Sequence, residues 1–273
     1  MNAPNTDKLF AGSIPKLYDT YLVPMIFEVY AKDLVQRIQA IKPSRILEIA
    51  AGTGVVTRLM ASALPESVTI MATDLNQAML DQARLTCTQR EVTWQQADAM
   101  QLPFADAQYD LVVCQFGAMF FPDKAKAFAE VRRVLQPNGT FLFNVWDRVA
   151  ENEFADVVTQ ALASVFPDDP PRFAVRTPHG YYDQATIQAD LNHAGFNSAA
   201  VIDTVTARSL AASARVAATA YCQGTPLRNE IEARDASKLE YATLITTEAL
   251  TNRFGAGTIE GKIQAHVISV ARN

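Results

Sequence analysis

The chain has 273 residues, of which 49% are hydrophobic and 19% are charged. This composition supplies enough apolar side chains for a buried core and excludes a wholly disordered chain. The 24 basic and 29 acidic residues give a net charge of −5, and no basic cluster predicts binding to nucleic acid. Cys87, Cys114 and Cys222 form no CxxC pair, so neither a disulfide framework nor a metal site for zinc is indicated.

The N-terminal residues do not have the pattern of an export signal. Asp7 and Lys8 stand where a secretory signal has its apolar run. No stretch reaches the roughly 18 apolar residues of a membrane-spanning helix. We therefore expect a cytoplasmic protein without stable membrane insertion, and its oligomeric state stays open.

Residues 1–42 predict an N-terminal helical cap. Residues 1–15 are polar and contain two prolines and a glycine, which favours a loop. From residue 16 to residue 41, apolar side chains recur with a period near 3.6, which predicts helix. Because proline cannot donate a hydrogen bond inside a helix, we expect Pro24 to divide this stretch into two helices.

Residues 45–147 alternate short apolar runs with amphipathic segments. The apolar runs are continuous, as in strands that are buried on both faces. Strand–helix alternation predicts an α/β fold with a doubly wound, mostly parallel sheet and helices on both faces. Strands are predicted at 45–50, 68–73, 92–97, 109–115 and 140–146, with helices at 55–63, 76–84 and 124–135.

The remainder of the chain continues the same domain, which we take to span residues 1–273. Its helical part at 208–258 is predicted to be an insertion before the last strand. Helices are predicted at 151–166, 183–194 and 211–253, a proline-rich loop at 167–183, and strands at 199–206 and 263–271.

Four features fall at the carboxyl ends of predicted strands, where doubly wound sheets bind ligands. The glycine loop at 50–54 follows the first strand, and its glycines allow a sharp turn into a helix whose N-terminus favours an anionic group. Asp74 ends the second strand, where an acid suits two ribose hydroxyls. Asp98 ends the third strand and could accept from an exocyclic amine, and Gln115 ends the fourth. Together they predict an adenosine site.

The dinucleotide fingerprint G-x-G-x-x-G is incomplete, because Thr57 occupies the third glycine position. The better alignment is acid-x-small-x-Gly-x-Gly, beginning at Glu48. With it, LEIAAGTG (47–54), ADAMQLPF (97–104) and YDLVVCQFGAMFFPD (109–123) resemble the class I S-adenosylmethionine-dependent methyltransferases. The nearest group is the ubiquinone/menaquinone type, which acts mainly on small molecules. The resemblance is continuous over about 45–146 and makes this span the cofactor-binding core.

The resemblance implies a Rossmann-like fold of seven strands with an antiparallel last strand. It also implies that the glycine loop contacts the methionine part of the cofactor and that Tyr18 caps it. Asp74 would bind the ribose, and Gln115 would lie near the methyl donor. One departure is Ala50, where the family commonly has glycine. The residues that the resemblance places around the cofactor are Tyr18, Ala50, Ala51, Gly52, Gly54, Asp74, Leu75, Asp98, Ala99 and Gln115.

The implied reaction is in-line transfer of a methyl group to a small-molecule acceptor, with S-adenosylhomocysteine as product. The protein would mainly position the reactants, and a base is needed only if the nucleophile arrives protonated. His179 is the one candidate base, although a packing role beside Tyr181 and Tyr182 is the alternative. A partly apolar acceptor pocket is expected from aromatic side chains, namely Tyr18, Tyr21, Phe116, Phe120, Tyr181 and Tyr182.

Two other functions stay open on the sequence. A nicotinamide-dependent oxidoreductase uses a related sheet, although Thr57 and the ending of the sheet disfavour it. The other is a non-catalytic S-adenosylmethionine-binding protein. Methyl transfer has no obligatory nucleophile on the protein whose absence from the sequence would reveal a loss of activity. A nucleic-acid methyltransferase is disfavoured by the acidic balance and by Gln115-Phe116-Gly117-Ala118 in place of an Asn/Asp-Pro-Pro-Tyr/Phe motif.

Overall fold

The computed structural model describes residues 5–86 and 88–273. Cys87 lies outside the described residues, whereas Cys114 and Cys222 are buried as free thiols among apolar side chains. None of the helices in the described ranges combines the length and the apolar character needed to cross a bilayer.

The order of strands and helices along the chain follows the predicted alternation. The strands are β1 (Arg45–Glu48), β2 (Thr69–Asp74), β3 (Thr93–Gln96), β4 (Tyr109–Gln115), β5 (Leu135–Trp146), β6 (Val201–Ala211) and β7 (Ile259–Ala271). The α-helices are α1 (Ile14–Leu17), α2 (Glu28–Ile41), α3 (Val55–Ala63), α4 (Gln77–Leu85), α5 (Lys124–Val134), α6 (Glu153–Val165), α7 (Phe173–Arg176), α8 (Gln184–His193), α9 (Ala214–Gln223), α10 (Leu227–Asp235) and α11 (Leu239–Phe254).

Within the described residues, seven strands form one sheet in the order β3-β2-β1-β4-β5-β7-β6. The strands from β3 to β5 are parallel, and β7 runs antiparallel to both β5 and β6. This arrangement confirms the predicted fold class, including the antiparallel last strand. The strand order reverses between β1 and β4, so the topological switch point lies beside the glycine loop.

Strand β4 shows why the sheet forms. Leu111 and Val113 belong to a core cluster that also holds side chains of α2 and α3. Val112 and Cys114 point to the larger cluster on the other face, which includes α5 and the helices that follow β5. Because successive side chains alternate between faces, an unbroken apolar run is what a strand covered on both sides requires.

The N-terminal helical stretch corrects one expectation. Residues Tyr18–Phe27 form a π-helical segment that joins α1 to α2, and Pro24 lies inside it. Pro24 therefore does not divide the stretch into two separate helices. The N–H of Glu28 donates to the carbonyl oxygen of Val23, five residues back, and this wider turn accommodates a residue that cannot donate.

The insertion before the last strand is shorter than predicted. β6 extends to Ala211 and pairs with β7 along its whole length, so residues 208–211 are strand and not insertion. Helices α9, α10 and α11 occupy the interval between the two strands. The side chains of Asp183 and Ser213 cap α8 and α9 by accepting from backbone N–H groups, which fixes where these helices begin.

An ionic contact fastens the N-terminal segment to the helices beyond β5. Asp7 is 1% exposed, and its carboxylate accepts from Arg176 Nη2 at 2.6 Å. The guanidinium of Arg176 also donates to Glu230 of α10 at 2.5 Å. Because a buried carboxylate is stable only when it is paired, this contact anchors the chain three residues before Phe10.

Glu48 ties β1 to its neighbours. Its side chain is 1% exposed, and the hydroxyl of Thr57 in α3 donates to Glu48 Oε2 at 2.5 Å. The hydroxyl of Thr73 in β2 donates to the Glu48 carbonyl oxygen at 3.0 Å. Burial raises the pKa of Glu48 from 4.5 to about 8, so the folded protein retains a proton that the unfolded chain has released.

This difference predicts a pH dependence of stability. Between pH 5 and 8 the folded state binds the extra proton, so rising pH should destabilise the wild type relative to Glu48→Gln, which mimics the protonated acid. The expected difference in slope is up to about 1.4 kcal/mol per pH unit. Urea unfolding of both proteins across this range measures it, and parallel pH profiles would contradict the assignment.

Candidate functional site

The glycine loop turns sharply between β1 and α3. Gly52 and Gly54 have φ angles of 57° and 82°, and Ala50 has a φ of 52°. A side chain on Gly54 would place its Cβ 2.6 Å from the ring of Trp94, so both the backbone angle and the space require glycine there. Gly54 is also the N-cap residue of α3, so the loop leads directly into the free N–H groups of the first turn.

Asp74 lies at the end of β2 and holds the glycine loop in place. Its Oδ2 accepts from the Gly52 N–H and its Oδ1 from the Asn76 N–H, each at 2.8 Å. Burial raises the pKa of Asp74, and these backbone donors oppose the shift. A carboxylate has about four lone-pair positions, so each oxygen keeps acceptor capacity for a ligand.

A cavity of about 840 Å³, here called the glycine-loop cavity, opens above the loop. Eight of the ten residues predicted around a cofactor line it, namely Tyr18, Ala50, Gly52, Asp74, Leu75, Asp98, Ala99 and Gln115. Ala51 and Gly54 do not. Ala51 instead donates its N–H to the Thr73 carbonyl oxygen at 2.9 Å, and Gly54 packs on Trp94. Both residues therefore shape the loop without lining the cavity.

Gln115 brings an unpaired acceptor to the wall of the glycine-loop cavity. Its Nε2 donates to the Phe27 carbonyl oxygen at 3.4 Å. Its Oε1 is buried and has no hydrogen-bond partner among the described residues. Buried polar atoms are usually paired, so this oxygen fits a donor group on a ligand.

Sequence reasoning missed Lys8 and Phe10, which also line the glycine-loop cavity. The ring of Phe10 contacts those of Tyr18 and Phe120, with centroids 6.0 and 5.9 Å apart. Both residues lie in a segment that was expected to be a loop. No motif marks them, because the contact through Asp7 that places them spans most of the chain.

A second cavity of about 760 Å³, here called the aromatic cavity, adjoins the first. The two share four lining residues, Phe10, Tyr18, Phe116 and Phe120. Phe116 is stacked on Trp146 with ring centroids 3.9 Å apart. The other walls of the aromatic cavity come from the π-helical segment, α6, α7 and the residues around the start of α10.

Three of the six aromatics expected in an acceptor pocket lie elsewhere. Tyr21, Tyr181 and Tyr182 line neither of these two cavities. The Tyr181 hydroxyl donates to Asp190 Oδ2 at 2.7 Å, and Tyr182 is 40% exposed. Tyr18, Phe116 and Phe120 line both cavities as expected.

His179 lines the aromatic cavity and is 8% exposed. Its Nδ1 lies 2.8 Å from the Asp147 carbonyl oxygen. Because a carbonyl can only accept, Nδ1 carries the proton and Nε2 keeps its lone pair in the neutral ring. Burial lowers the pKa of His179 from 6.5 to about 4, so the ring is neutral near pH 7.

The other two histidines line neither of the two cavities. His193 is exposed at the end of α8, and His266 lies on β7. The His266 ring is buried and has Thr204 Oγ1 2.9 Å from its Nδ1.

Ala50 stands in a left-handed backbone conformation that favours glycine, and the structure shows what accommodates it. A Cβ on Gly117 would lie 2.4 Å from the Ala50 Cβ and 2.8 Å from Cys114 Sγ. The methyl group of Ala50 therefore fits only because residue 117 has no side chain. Phe116, next to it, also has a positive φ of 51°, so this edge of the cavity holds two strained non-glycine residues.

Comparisons with known proteins agree with this arrangement. A family model described as a methyltransferase domain matches residues 47–143. A malonyl-[acyl-carrier protein] O-methyltransferase from Geobacter sulfurreducens is 33% identical over 188 residues, which cover 65% of this chain and 68% of the relative. Several other curated relatives are matched over 37% of their own length.

Solved structures share the fold. The YcgJ protein of Bacillus subtilis has a TM-score of 0.57 and 18% identity, covering 89% of this chain and 97% of that protein. Phosphoethanolamine N-methyltransferase 2 of Haemonchus contortus, solved in complex with S-adenosyl-L-methionine, has a TM-score of 0.55 and 16% identity. That match covers 96% of this chain and 56% of that protein.

The contact between Ala50 and Gly117 predicts coupled stabilities. Ala50→Gly should raise the free energy of unfolding by about 1 kcal/mol, because it relieves the left-handed backbone. Gly117→Ala should lower it by about 1–3 kcal/mol, because the added methyl overfills the site. In the double variant Ala50→Gly/Gly117→Ala, the loss caused by Gly117→Ala should be smaller. Urea unfolding of the wild type, the two single variants and the double variant measures this coupling. Strictly additive effects would show that the two sites are independent.

Proposed function

Since this chain belongs to the class I S-adenosylmethionine-dependent methyltransferases, we propose that it methylates a small acceptor molecule held in the aromatic cavity. The observation that carries the proposal is the pair of adjoining cavities with shared walls. One cavity has the donor and acceptor groups of a nucleotide site, and the other is almost wholly apolar. Such a pair suits a polar cofactor that meets an apolar substrate.

The residues of the glycine-loop cavity fit S-adenosylmethionine. Asp74 keeps free acceptor capacity for the ribose hydroxyls, and Asp98 and Ala99 lie at the wall where the adenine edge would be read. The unpaired Gln115 Oε1 is an acceptor for a donor group of the methionine part. When bound, the cofactor would supply a methyl group attached to a positively charged sulfur, and an acceptor atom would displace that sulfur in line.

The chain's own contribution is to position the two molecules and to exclude water. The π faces of Tyr18 and Phe116, shared by both cavities, favour a positive charge nearby. Correct positioning can contribute about 7–11 kcal/mol to such a reaction. Burial raises the pKa of Tyr18, so its hydroxyl stays protonated and can donate.

The aromatic cavity favours a small molecule over a nucleic acid. No Lys or Arg lies among its described lining residues. Nucleic-acid enzymes hold the phosphate backbone with such cations. The acidic net charge of −5 points the same way.

Calorimetry with S-adenosylhomocysteine tests the proposed cofactor site, with NAD as the competing ligand. The wild type should bind the homocysteine product and not NAD. Asp74→Asn should weaken this binding about 10- to 100-fold, because hydrogen bonds to a charged acceptor are worth about 1.5–3 kcal/mol.

Asp81→Asn is the matched control, because Asp81 lies on the exposed side of α4 and should leave the affinity unchanged. Tighter binding of NAD than of S-adenosylhomocysteine would refute the cofactor assignment. Equal affinity of the wild type and Asp74→Asn would remove the role given to Asp74.

A further inference from the structure

The aromatic cavity has no charge of its own. None of its described lining residues is Asp, Glu, Lys or Arg. An anionic group that entered it would lose its hydration without gaining a partner, which is costly. The cavity therefore selects against carboxylates and phosphates.

Two of the polar lining residues are already occupied. Asn152 donates to the carbonyl oxygens of Asp147 and Gln264 at 3.3 Å and accepts from the Gln264 N–H at 3.1 Å. Thr225 donates to the Tyr221 carbonyl oxygen at 2.8 Å and accepts from the Leu227 N–H at 3.2 Å. Neither side chain is an open partner for a ligand.

Tyr18 and Tyr221 also line the cavity, and their hydroxyl groups can both donate and accept. His179 differs from them because its neutral ring keeps a nitrogen that can only accept, and its orientation is fixed by the protein. Its ring donates through Nδ1 to the Asp147 carbonyl oxygen, which also accepts from Asn152. Asp147 is itself held by Gln264 of β7, whose Nε2 donates to Asp147 Oδ2 at 2.7 Å. Nε2 of His179 has no partner among the described residues, so its lone pair is available in the cavity that the ring lines.

We propose that the acceptor is a predominantly aromatic molecule that has a hydroxyl group and no anionic group, and that this hydroxyl donates to His179 Nε2. This inference rests on the proposed function, since it takes the aromatic cavity as the acceptor site. The stacked rings of Phe116 and Trp146 form an aromatic wall of this cavity. A ligand with a flat aromatic body and one donor group matches both the walls and the open lone pair.

The protonation state of His179 supports this role. Burial lowers its pKa to about 4, so the ring accepts a hydrogen bond across the physiological range. A ring that resists protonation orients a hydroxyl better than it stores the proton. The general-base role expected from the sequence stays a prediction, and the geometry favours His179 as a binding and orienting residue.

Calorimetry with three probes of similar size tests the inference on the protein saturated with S-adenosylhomocysteine. The probes are 2-naphthol, 2-methoxynaphthalene, which cannot donate, and 2-naphthoate, which is an anion at pH 7. We expect 2-naphthol to bind about fivefold more tightly than 2-methoxynaphthalene, the ratio typical of one neutral hydrogen bond. We expect 2-naphthoate to bind at least tenfold more weakly than 2-naphthol.

His179→Phe keeps an aromatic ring and removes the acceptor. It should lower the affinity for 2-naphthol about fivefold and leave that for 2-methoxynaphthalene unchanged. His193→Phe, on the exposed end of α8, is the matched control and should change neither. If His179→Phe fails to fold, the ranking of the three probes on the wild type still tests the preference for a hydroxyl group and against an anion.

The outcomes separate this inference from the proposed function. Failure of the wild type to bind S-adenosylhomocysteine would refute the proposed function. Binding of that ligand with no binding of 2-naphthol would overturn the inference alone. So would equal affinities of 2-naphthol and 2-naphthoate, or an unchanged 2-naphthol affinity in a folded His179→Phe.

Discussion

The carboxylate of Asp74 holds the functional edge of this sheet together. It accepts from the N–H groups of Gly52 and Asn76 at once, so one side chain joins the loop after β1 to the loop after β2. The loop after β1 contains left-handed residues, and a loop of this kind needs such an external anchor to keep one conformation. The glycine-loop cavity exists because this anchor keeps both loops open toward the same side.

The second requirement is a wall between the two cavities. Phe10, Tyr18, Phe116 and Phe120 form it, and they come from two distant parts of the chain. The N-terminal part is placed by the buried contact of Asp7 with Arg176, and the other part follows β4. Under the proposed function, these shared residues let the cofactor and the acceptor each lie in its own environment up to the point where they meet.

The strained backbone beside this wall is accommodated because a neighbouring residue has no side chain. Ala50 and Phe116 both have positive φ angles, which non-glycine residues seldom adopt. Because residue 117 is glycine, it has no side-chain atoms that would collide with Ala50. The departure from the family's usual glycine at residue 50 is therefore paired with a glycine across the loop, and the two are understood only together.

The sequence by itself predicted the order of strands and helices, the edge of the sheet at which the glycine-loop cavity opens and eight of the residues that line this cavity. The strands, the helices and the glycine loop follow from local rules, since they depend on the period of apolar residues and on the position of glycines along the chain. The bounds of β4 and α3 were predicted to the residue for this reason. The full set of residues predicted around the cavity came from the family resemblance.

Only the tertiary structure decided how the aromatic cavity is lined. Tyr181 was expected there and instead donates to Asp190, whereas Phe10 and Tyr221 were not expected and line it. The π-helical course around Pro24 and the extension of β6 to Ala211 were likewise not predicted. The extension of β6 depends on its pairing with β7, and the N-terminal segment that holds Phe10 is anchored by the contact of Asp7 with Arg176. A local pattern of side chains does not contain that information, because the packing free energy that selects these arrangements arises only when the distant segments meet.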